Sequence, residues 1–333
     1  MISVVCPFFN ESDIVEVATA SMAAALSRDF ANWELILVND GSVDTSKDRL
    51  LAFLGRQQDR RIRLLSYSAN QGRGRALRTG IKAARGDIIV TTEIDLSWGD
   101  DIVARLVAKL SAEPNCHFAI ASPHLAGGGF DAVPARRILL TRFGNKLISM
   151  FFGSGVTMHT GMTRAYWREV IQPLETQQNG KEFHLEVLLK LVTMGFRAAE
   201  IPATISWAHR KAAAGSAPKQ SRRSPLGILK TISTHLSFLA IAQPMRYFGI
   251  LSAIALAAAF GFAVAAVWEL LIGGVAAFFA LVAMMLLLFC LLFAGFAVAF
   301  VQLRELAREG WQKSYPQRPP SALPGDQIYP LDR

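Results

Sequence analysis

Cysteine is scarce in this sequence, which holds only Cys6, Cys116 and Cys290, all far apart. Their spacing matches no metal-ligand pattern, so we expect buried, reduced thiols in a cytoplasmic compartment. We also expect no signal peptide. The apolar run that follows Met1 is too short for one, and no basic region stands in front of it.

Charged residues are absent from two long stretches, residues 247–268 and 270–302. Each stretch reaches the roughly 20 apolar residues that a helix needs to cross a bilayer. A central charge would oppose insertion, and neither stretch has one. We therefore predict two transmembrane helices, at about residues 247–268 and 275–301. The alternative is a pair of buried core helices, which rarely run so long without a charge.

Lysine and arginine are absent from the short connection at residues 269–275, which predicts a helical hairpin. Basic residues flank the pair on both outer sides: Arg222, Arg223, Lys230 and Arg246 before it, and Arg304, Arg308 and Lys313 after it. The positive-inside rule therefore predicts that both chain ends and the N-terminal domain face the cytoplasm, at an inner or plasma membrane. The tail from residue 315 onward is rich in proline and polar residues, and we expect it to be poorly ordered.

Acidic residues are absent from residues 209–244, although the same segment carries Arg210, Lys211, Lys219, Arg222, Arg223 and Lys230. The whole chain has a net charge of +9. Such a balance favours anionic partners: nucleic acid, phospholipid or phosphorylated substrates. Nucleic acid fits the charge but not the hairpin, and the sequence contains no nucleic-acid recognition fold.

Short apolar runs alternate with amphipathic helical patterns over residues 1–210. We predict strands at 2–6, 34–39, 62–66, 87–92 and 117–121, and helices between them, for example at 74–84 and 101–110. This alternation predicts an α/β domain, with a mostly parallel sheet covered by helices on both faces. In such sheets, ligands bind at the carboxyl ends of the strands.

Polar motifs follow the first two predicted strands. The first motif, residues 6–11, is by itself only a turn after a strand. The second, residues 39–44, opens a tight turn, and Asp44 is favoured as a cap of the next helix. For Asp40 we favour a ligand contact, because a carboxylate at a strand end can accept hydrogen bonds from ribose hydroxyls or a base edge.

Two further motifs follow the third and fourth strands. Gly72 and Gly74 precede a helix and would let a diphosphate approach backbone N–H groups, although a simple loop fits the pattern equally well. Glu93 and Asp95 point to the same side of an extended segment. Two carboxylates suit Mg²⁺ or Mn²⁺ bridging a substrate diphosphate, whereas the ordinary alternative is a solvated acidic pair.

In this order and spacing, the four motifs resemble those of the family 2 glycosyltransferases with a GT-A (Rossmann-like) fold. The similarity is greatest to the polyprenyl-phosphate glycosyltransferases, which include dolichyl-phosphate mannose synthase. The resemblance implies that Asp95 and Glu93 hold the metal and are catalytic, together with Arg210. It also implies a nucleotide-sugar pocket formed by Pro7, Asn10, Glu11, Asp40, Gly41, Ser42 and Gly72.

An acceptor site is implied by the later part of the resemblance. Residues 183–186 and 199–202 are similar to the family's acceptor-side helix and strand, and the basic segment is similar to its phosphate-binding segment. The implied acceptor residues are Glu186, Arg210, Ser216 and Lys219. The sequence departs from the family pattern in four places: Glu93 for Asp, Ser97 for Gln, Thr157 for Asp, and a displaced Lys219.

The main hypothesis is inverting transfer of one sugar from a nucleoside-diphosphate sugar to a polyprenyl (dolichyl or undecaprenyl) phosphate. Alternatives are transfer to another lipid hydroxyl, and a degenerate membrane scaffold that binds nucleotide sugars without turnover. We expect a catalytic domain (1–210), a basic juxtamembrane segment (211–245), the helix pair (246–303) and a cytoplasmic tail (304–333). Residues 136–152 and 226–239 are candidate interfacial helices. The sequence leaves homo-oligomerisation open.

Overall fold

The computed structural model describes residues 1–95, 97–135, 138–139, 155–206 and 244–313. The chain divides into an α/β unit and a unit of long helices. The segments predicted as interfacial helices lie outside the described residues, except for residues 138–139. The candidate acceptor residues Arg210, Ser216 and Lys219 lie outside them as well.

Seven strands of the described residues form one sheet. They are β1 (Ile2–Phe8), β2 (Trp33–Asn39), β3 (Ile62–Ser66), β4 (Ile88–Thr91), β5 (Phe118–Ser122), β7 (Arg164–Trp167) and β8 (Ala198–Pro202). Their order in the sheet is β3-β2-β1-β4-β7-β5-β8. All neighbouring strands run parallel except β7, which is antiparallel to both β4 and β5. A separate parallel pair consists of β6 (Gly129–Asp131) and β9 (Thr204–Ser206).

The five predicted strands and the mostly parallel α/β sheet are confirmed. All seven residues of β1 and of β2 are buried, as expected for strands covered on both faces. Strand β7 was not predicted. It is short, and its first residue is the fully buried Arg164, which interrupts the apolar pattern that identifies a strand.

Six described helices belong to the α/β unit: α1 (Val15–Asp29), α2 (Ser46–Gln57), α3 (Arg73–Ala83), α4 (Ile102–Ala112), α5 (Arg168–Ile171) and α6 (Phe183–Thr193). The two helices predicted at residues 74–84 and 101–110 correspond to α3 and α4. Helix α3 packs closely on β1 and β2, because a Cβ at Gly80 would lie 3.1 Å from Cγ2 of Val38 and would overlap Val5. This contact holds α3 against β1 and β2.

The second unit contains two long apolar helices, α7 (Pro244–Leu271) and α8 (Ala277–Lys313). The most apolar 18-residue windows of the two helices have mean hydropathies of 2.4 and 2.9, and only 11% and 6% of those windows are buried. Such low burial does not fit core helices, so both are candidate membrane spans. The helices pack on each other: Phe248 lies 5.2 Å from Phe300, ring to ring, and the Ser252 hydroxyl donates to the Cys290 carbonyl at 3.0 Å.

Candidate functional site

A cleft of about 310 Å³ lies at the carboxyl edge of β1, β2, β3 and β4. The parallel register brings these strand ends together, since Phe8 pairs with Asn39 and Val5 pairs with Thr91. The ladder continues past the strands, because Asp40 N–H donates to Phe8 O and Thr92 N–H donates to Val5 O. The residues lining the cleft are Pro7, Phe8, Phe9, Glu11, Asp40, Asn70, Gly72, Arg73, Glu93, Ile94, Asp95, Met162 and Lys181.

Six predicted site residues therefore share one cleft: Pro7, Glu11, Asp40, Gly72, Glu93 and Asp95. Three others that were predicted to bind the nucleotide sugar, Asn10, Gly41 and Ser42, are not in its lining. Asn10 and Ser42 connect the first two motifs instead. The Asn10 side-chain oxygen accepts Val43 N–H at 2.9 Å, and Asn10 N–H donates to the Ser42 hydroxyl at 3.0 Å. Direct ligand contacts of these three residues stay predictions.

Asp44 contacts the start of helix α2, as the capping interpretation predicts. Its Oδ1 accepts Ser46 N–H at 3.0 Å and its Oδ2 accepts Ser12 N–H at 3.3 Å. Burial acts to raise the pKa of Asp44, but the hydrogen bonds from Ser46 and Ser12 outweigh it and hold that pKa below the ordinary value. Asp44 thus links the loop after β1 to the loop after β2.

Asp40 joins the second motif to the third. Its Oδ1 accepts Gln71 N–H at 2.9 Å and its Oδ2 accepts the Asn70 amide at 3.1 Å. The residue is only 4% exposed, and this burial raises its pKa, although the N–H groups of Gln71 and Gly72 act in the opposite direction. Asp40 therefore orders the loop after β3 while it lines the cleft.

The glycines at the start of α3 lie against the segment that contains Gln178 and Asn179, and backbone N–H groups there are already hydrogen-bonded. Gly74 N–H donates to Asn179 O at 2.6 Å, and Arg75 N–H reaches the same oxygen at 3.3 Å. A Cβ at Gly74 would lie 2.7 Å from Gln178 O. The prediction that the N–H groups at these glycines are available to a diphosphate is therefore wrong for Gly74, because its N–H already donates to the Asn179 carbonyl.

Glu93 and Asp95 both line the cleft, although residues 94 and 95 form a turn rather than the extended segment that the prediction assumed. Glu93 Oε1 pairs with Arg73 at 3.2 Å, while its Oε2 accepts hydrogen bonds from the Ser97 hydroxyl and the Trp98 indole, each at 3.3 Å. Asp95 Oδ1 accepts Ser97 N–H at 3.1 Å. Burial raises the pKa of Glu93, the Asp95 carboxylate raises it further, and Arg73 opposes both.

The donor set of the cleft fits a divalent cation that is shared with a substrate. No cluster of three or more His, Cys, Asp or Glu side chains suitable for a metal occurs among the described residues. Mg²⁺ is commonly held by one or two carboxylates and completes its coordination with phosphate oxygens and water. Asp95, with Glu93 alongside, matches that smaller set rather than an all-protein site.

Two basic side chains that were not predicted as site residues, Arg73 and Lys181, also line the cleft. Arg73 lies between Gly72 and Gly74, so its position within that motif could have identified it as a site residue. Lys181 reaches the cleft from the segment before α6, far along the chain, and only the tertiary fold brings it there. The cleft thus combines these two cations with the carboxylates of Glu11, Asp40, Glu93 and Asp95.

Glu186, predicted as an acceptor residue, is buried and makes internal contacts. Its carboxylate accepts Gln177 N–H at 2.9 Å and Gln178 N–H at 2.8 Å, and it pairs with the Lys190 ammonium at 2.9 Å. Its side chain is 5% exposed, and it is not in the cleft lining. Contact with an acceptor stays a prediction for this residue.

The family departures also have structural roles. Ser97 holds Glu93 and Asp95, and its carbonyl accepts Ser206 N–H at 2.8 Å from β9. Thr157 contacts Glu200 of β8, whose carboxylate accepts Thr157 N–H at 2.7 Å and Met158 N–H at 2.9 Å. Cys6 is fully buried in β1, and burial and then the carboxylates of Asp95, Glu93 and Glu11 raise the pKa of its thiol.

Comparison with known proteins gives one family match and several partial relatives. The family described as Glycosyl transferase family 2 matches residues 3–174. Undecaprenyl-phosphate 4-deoxy-4-formamido-L-arabinose transferases from Salmonella paratyphi A and Salmonella dublin are each 27% identical over 210 residues, or 60% of this chain. The matched region covers only 58% of those relatives.

Solved structures with a similar fold include glucosyl-3-phosphoglycerate synthase from Mycobacterium tuberculosis. Its complex with Mg²⁺ and uridine diphosphate has a TM-score of 0.54 at 20% identity, covering 72% of this chain and 79% of that one. Its complex with Mn²⁺, UDP-glucose and phosphoglyceric acid has a TM-score of 0.52 at 20% identity, covering 72% and 80%. At this identity the likeness concerns the fold alone.

Proposed function

The chain belongs to glycosyl transferase family 2, and we propose that it transfers a sugar from a nucleoside-diphosphate sugar to a polyprenyl phosphate. The family resemblance predicted from the four motifs is confirmed. The observation that carries the proposal is the single strand-end cleft, where Pro7, Glu11 and Asp40 meet Glu93 and Asp95. The acceptor class is inferred from the undecaprenyl-phosphate transferases that match 60% of the chain.

The donor nucleotide occupies the part of the cleft between β1 and β2 in this proposal. Pro7 forms an apolar wall there, and Glu11 and Asp40 supply carboxylates that can accept hydrogen bonds from ribose hydroxyls or a base edge. Since Asp40 also holds Gln71 N–H and the Asn70 amide, the loop after β3 is ordered before a ligand arrives. Such pre-ordering reduces the entropic cost of binding.

Asp95, with Glu93 alongside, would hold a divalent cation near the sugar-diphosphate end of the donor. When bound, Mg²⁺ or Mn²⁺ would neutralise charge that develops on the departing diphosphate. The GT-A neighbours crystallised with Mn²⁺ or Mg²⁺ support a divalent metal for this fold. Ser97 keeps both carboxylates in position through its hydroxyl and its N–H.

Transfer is a single displacement with inversion at the anomeric carbon. An oxygen of the acceptor phosphate forms the new bond to that carbon, the bond to the donor diphosphate breaks, and the nucleoside diphosphate leaves with the electron pair. A phosphate monoester has a second pKa near about 6, so at neutral pH it is mostly dianionic and needs no general base. A lipid hydroxyl would need one.

The acceptor phosphate is bound by the basic segment that follows β9, through Arg210, Ser216 and Lys219. The hydrogen bond from Ser206 N–H to Ser97 O supports this assignment. It holds the last residue of β9 next to Ser97, which follows Asp95 by two residues in the chain.

The candidate spans α7 and α8 hold the protein in the membrane, with both chain ends and the reaction on the cytoplasmic side. The division into four segments predicted from the sequence, with three boundaries between them, forms part of this proposal.

A donor and acceptor panel with the purified full chain in lipid nanodiscs tests the proposal. UDP-, GDP- and other activated sugars are combined with undecaprenyl phosphate, ceramide or diacylglycerol. The expected product is an acid-labile glycosyl phosphate formed from one donor. An acid-stable glycolipid would support the lipid-hydroxyl alternative. Donor binding with neither transfer nor hydrolysis would support the non-catalytic scaffold.

A further inference from the structure

Two cations enter the cleft from different parts of the α/β unit. Arg73 is the first residue of α3, and Lys181 stands two residues before α6. Both line a cleft that also carries the carboxylates of Glu11, Asp40, Glu93 and Asp95. The carboxylates repel an anionic ligand at short range, and the two side-chain cations oppose that repulsion.

The segments that carry these cations are joined through Asn179. The Asn179 carbonyl accepts Gly74 N–H at 2.6 Å and Arg75 N–H at 3.3 Å, directly beside Arg73. Glycine is needed at residue 74 for this approach, because a Cβ there would lie 2.7 Å from both Gln178 O and Phe183 Cβ. We call residues 72–75 together with residues 176–180 the Asn179 clamp.

Arg78 supports the clamp one turn further along α3. Its Nε donates to the Thr176 hydroxyl at 2.9 Å, and its Nη2 donates to the Gln178 carbonyl at 3.1 Å. The segment before α6 is therefore hydrogen-bonded to α3 at both ends. Any movement of that segment displaces Lys181 relative to Arg73.

Glu186 completes the clamp from the side of α6. Its buried carboxylate accepts N–H groups of Gln177 and Gln178, and Lys190 balances its charge at 2.9 Å. Lys190 in turn donates to Glu175 O at 2.7 Å. Removing the carboxylate would leave buried N–H groups and an ammonium without their acceptor, which is costly inside a protein.

We propose that the Asn179 clamp fixes Arg73 and Lys181 as a pair of cations for phosphate oxygens in the cleft, with Glu186 as the positioning residue that holds the clamp. This inference rests on the proposed function, since it takes the cleft to be the donor site. It gives Glu186 an indirect role in place of the predicted acceptor contact. Glu93 contributes by holding the Arg73 guanidinium at 3.2 Å.

Binding measurements on the purified full chain in detergent test the clamp. UDP and GDP are compared with uridine and guanosine, which lack the phosphates, and with a short isoprenyl phosphate, which lacks the nucleoside. The variants are Lys181→Gln, Glu186→Gln and Glu186→Asp. Lys82→Gln is the matched control, because Lys82 is exposed near the far end of α3 and does not line the cleft.

Lys181→Gln is expected to weaken diphosphate binding by roughly tenfold and to leave nucleoside binding within about twofold, as loss of one charge-assisted hydrogen bond predicts. Glu186→Gln should give the same selective loss, and Glu186→Asp should restore part of it. A loss confined to the isoprenyl phosphate would assign the cations to the acceptor and overturn the donor assignment.

The clamp is overturned if Lys181→Gln leaves diphosphate binding at the wild-type level. It is also overturned if Glu186→Gln lowers nucleoside and diphosphate binding equally, since that result indicates general collapse of the cleft. Selective diphosphate binding without any sugar transfer would contradict the proposed function alone. If the protein transfers sugar but the variants show no selective loss of diphosphate binding, only the clamp is contradicted.

Discussion

Charged residues are distributed in opposite ways in the α/β unit and in the pair of long helices. The α/β unit gathers charged side chains at the ends of buried strands and gives each of them specific contacts, as Asp40 and Glu93 illustrate. The long helices carry no charge over residues 247–268 and 270–302 and leave most of their apolar surface exposed. The character of the α/β unit depends on a few charged positions, whereas the character of the long helices depends on their overall apolar composition.

Removing one charge from the cleft should have the largest effect. Asp95→Asn is expected to lower sugar transfer roughly a thousandfold, since a bound metal supplies several kcal/mol of transition-state stabilisation. Asp48→Asn, on the exposed surface of α2, is the matched control and should keep wild-type activity. Full transfer by the Asp95 variant, or by the wild type in excess EDTA, would rule out metal-assisted departure.

Adding one charge to the second region should have the next largest effect. Leu288 is 61% exposed in the middle of the uncharged part of α8, and Leu288→Arg is expected to oppose insertion by roughly 2.5 to 3.5 kcal/mol. The inserted fraction is measured by carbonate extraction. Leu306→Arg, in the basic end of the same helix, should have a much smaller effect. Equal behaviour of the two variants would argue against a span at Leu288.

Acid should destabilise the α/β unit through a buried histidine. Burial, then Arg164 and His124, lower the pKa of His159 to about 4. The stability that this neutral side chain contributes is present above its unfolded pKa of roughly 6.5 and is lost as pH falls toward 4. Between pH 7 and 5 the loss is about 2 kcal/mol.

Denaturant unfolding of the full chain in detergent at pH 7 and pH 5 measures this loss. His159→Gln should lose about 2 kcal/mol less than the wild type over that interval. The comparison between pH values within each protein removes any constant effect of the substitution. Equal losses in the two proteins would show that His159 takes no part in the acid response.

The smallest effect is expected where the long helices make a polar contact. Ser252→Ala removes the hydrogen bond to the Cys290 carbonyl and should lower stability by only about 0.6 kcal/mol, the average for such contacts between membrane helices. Thermal unfolding of the full chain in nanodiscs measures this change. A loss above about 2 kcal/mol would mean that the contact contributes more than such contacts do within lipid.

The sequence allowed prediction of the features that depend on local pattern. The five apolar strands, the two long helices and the shared cleft of Asp40, Glu93 and Asp95 follow from periodicity and from the rule that parallel strands end at one edge. Features that depend on tertiary partners were missed. Nothing in the local sequence pattern shows that the Asn179 carbonyl accepts a hydrogen bond from Gly74 N–H, or that Lys181 reaches the cleft.

Strand β7 was missed for a different reason. Its first residue, Arg164, is fully buried and donates to the carbonyls of His184 and His159 at 3.0 and 2.6 Å. A buried arginine is rare because its desolvation is expensive unless its N–H groups find acceptors. The acceptors here come from two other segments, so a pattern of apolar residues could not reveal the strand.

The reversed direction of β7 changes which loop can reshape the cleft. Because Arg164 pairs with Thr91 at the end of β4, the chain enters β7 at the cleft edge and leaves it at the opposite edge. The segment that precedes the strand therefore supplies Met162 to the cleft, whereas the parallel strands β1, β2 and β4 contribute through residues at or after their carboxyl ends. A residue inserted before Arg164 would alter the ligand-facing rim, while one inserted after Trp167 would fall on the far side of the sheet.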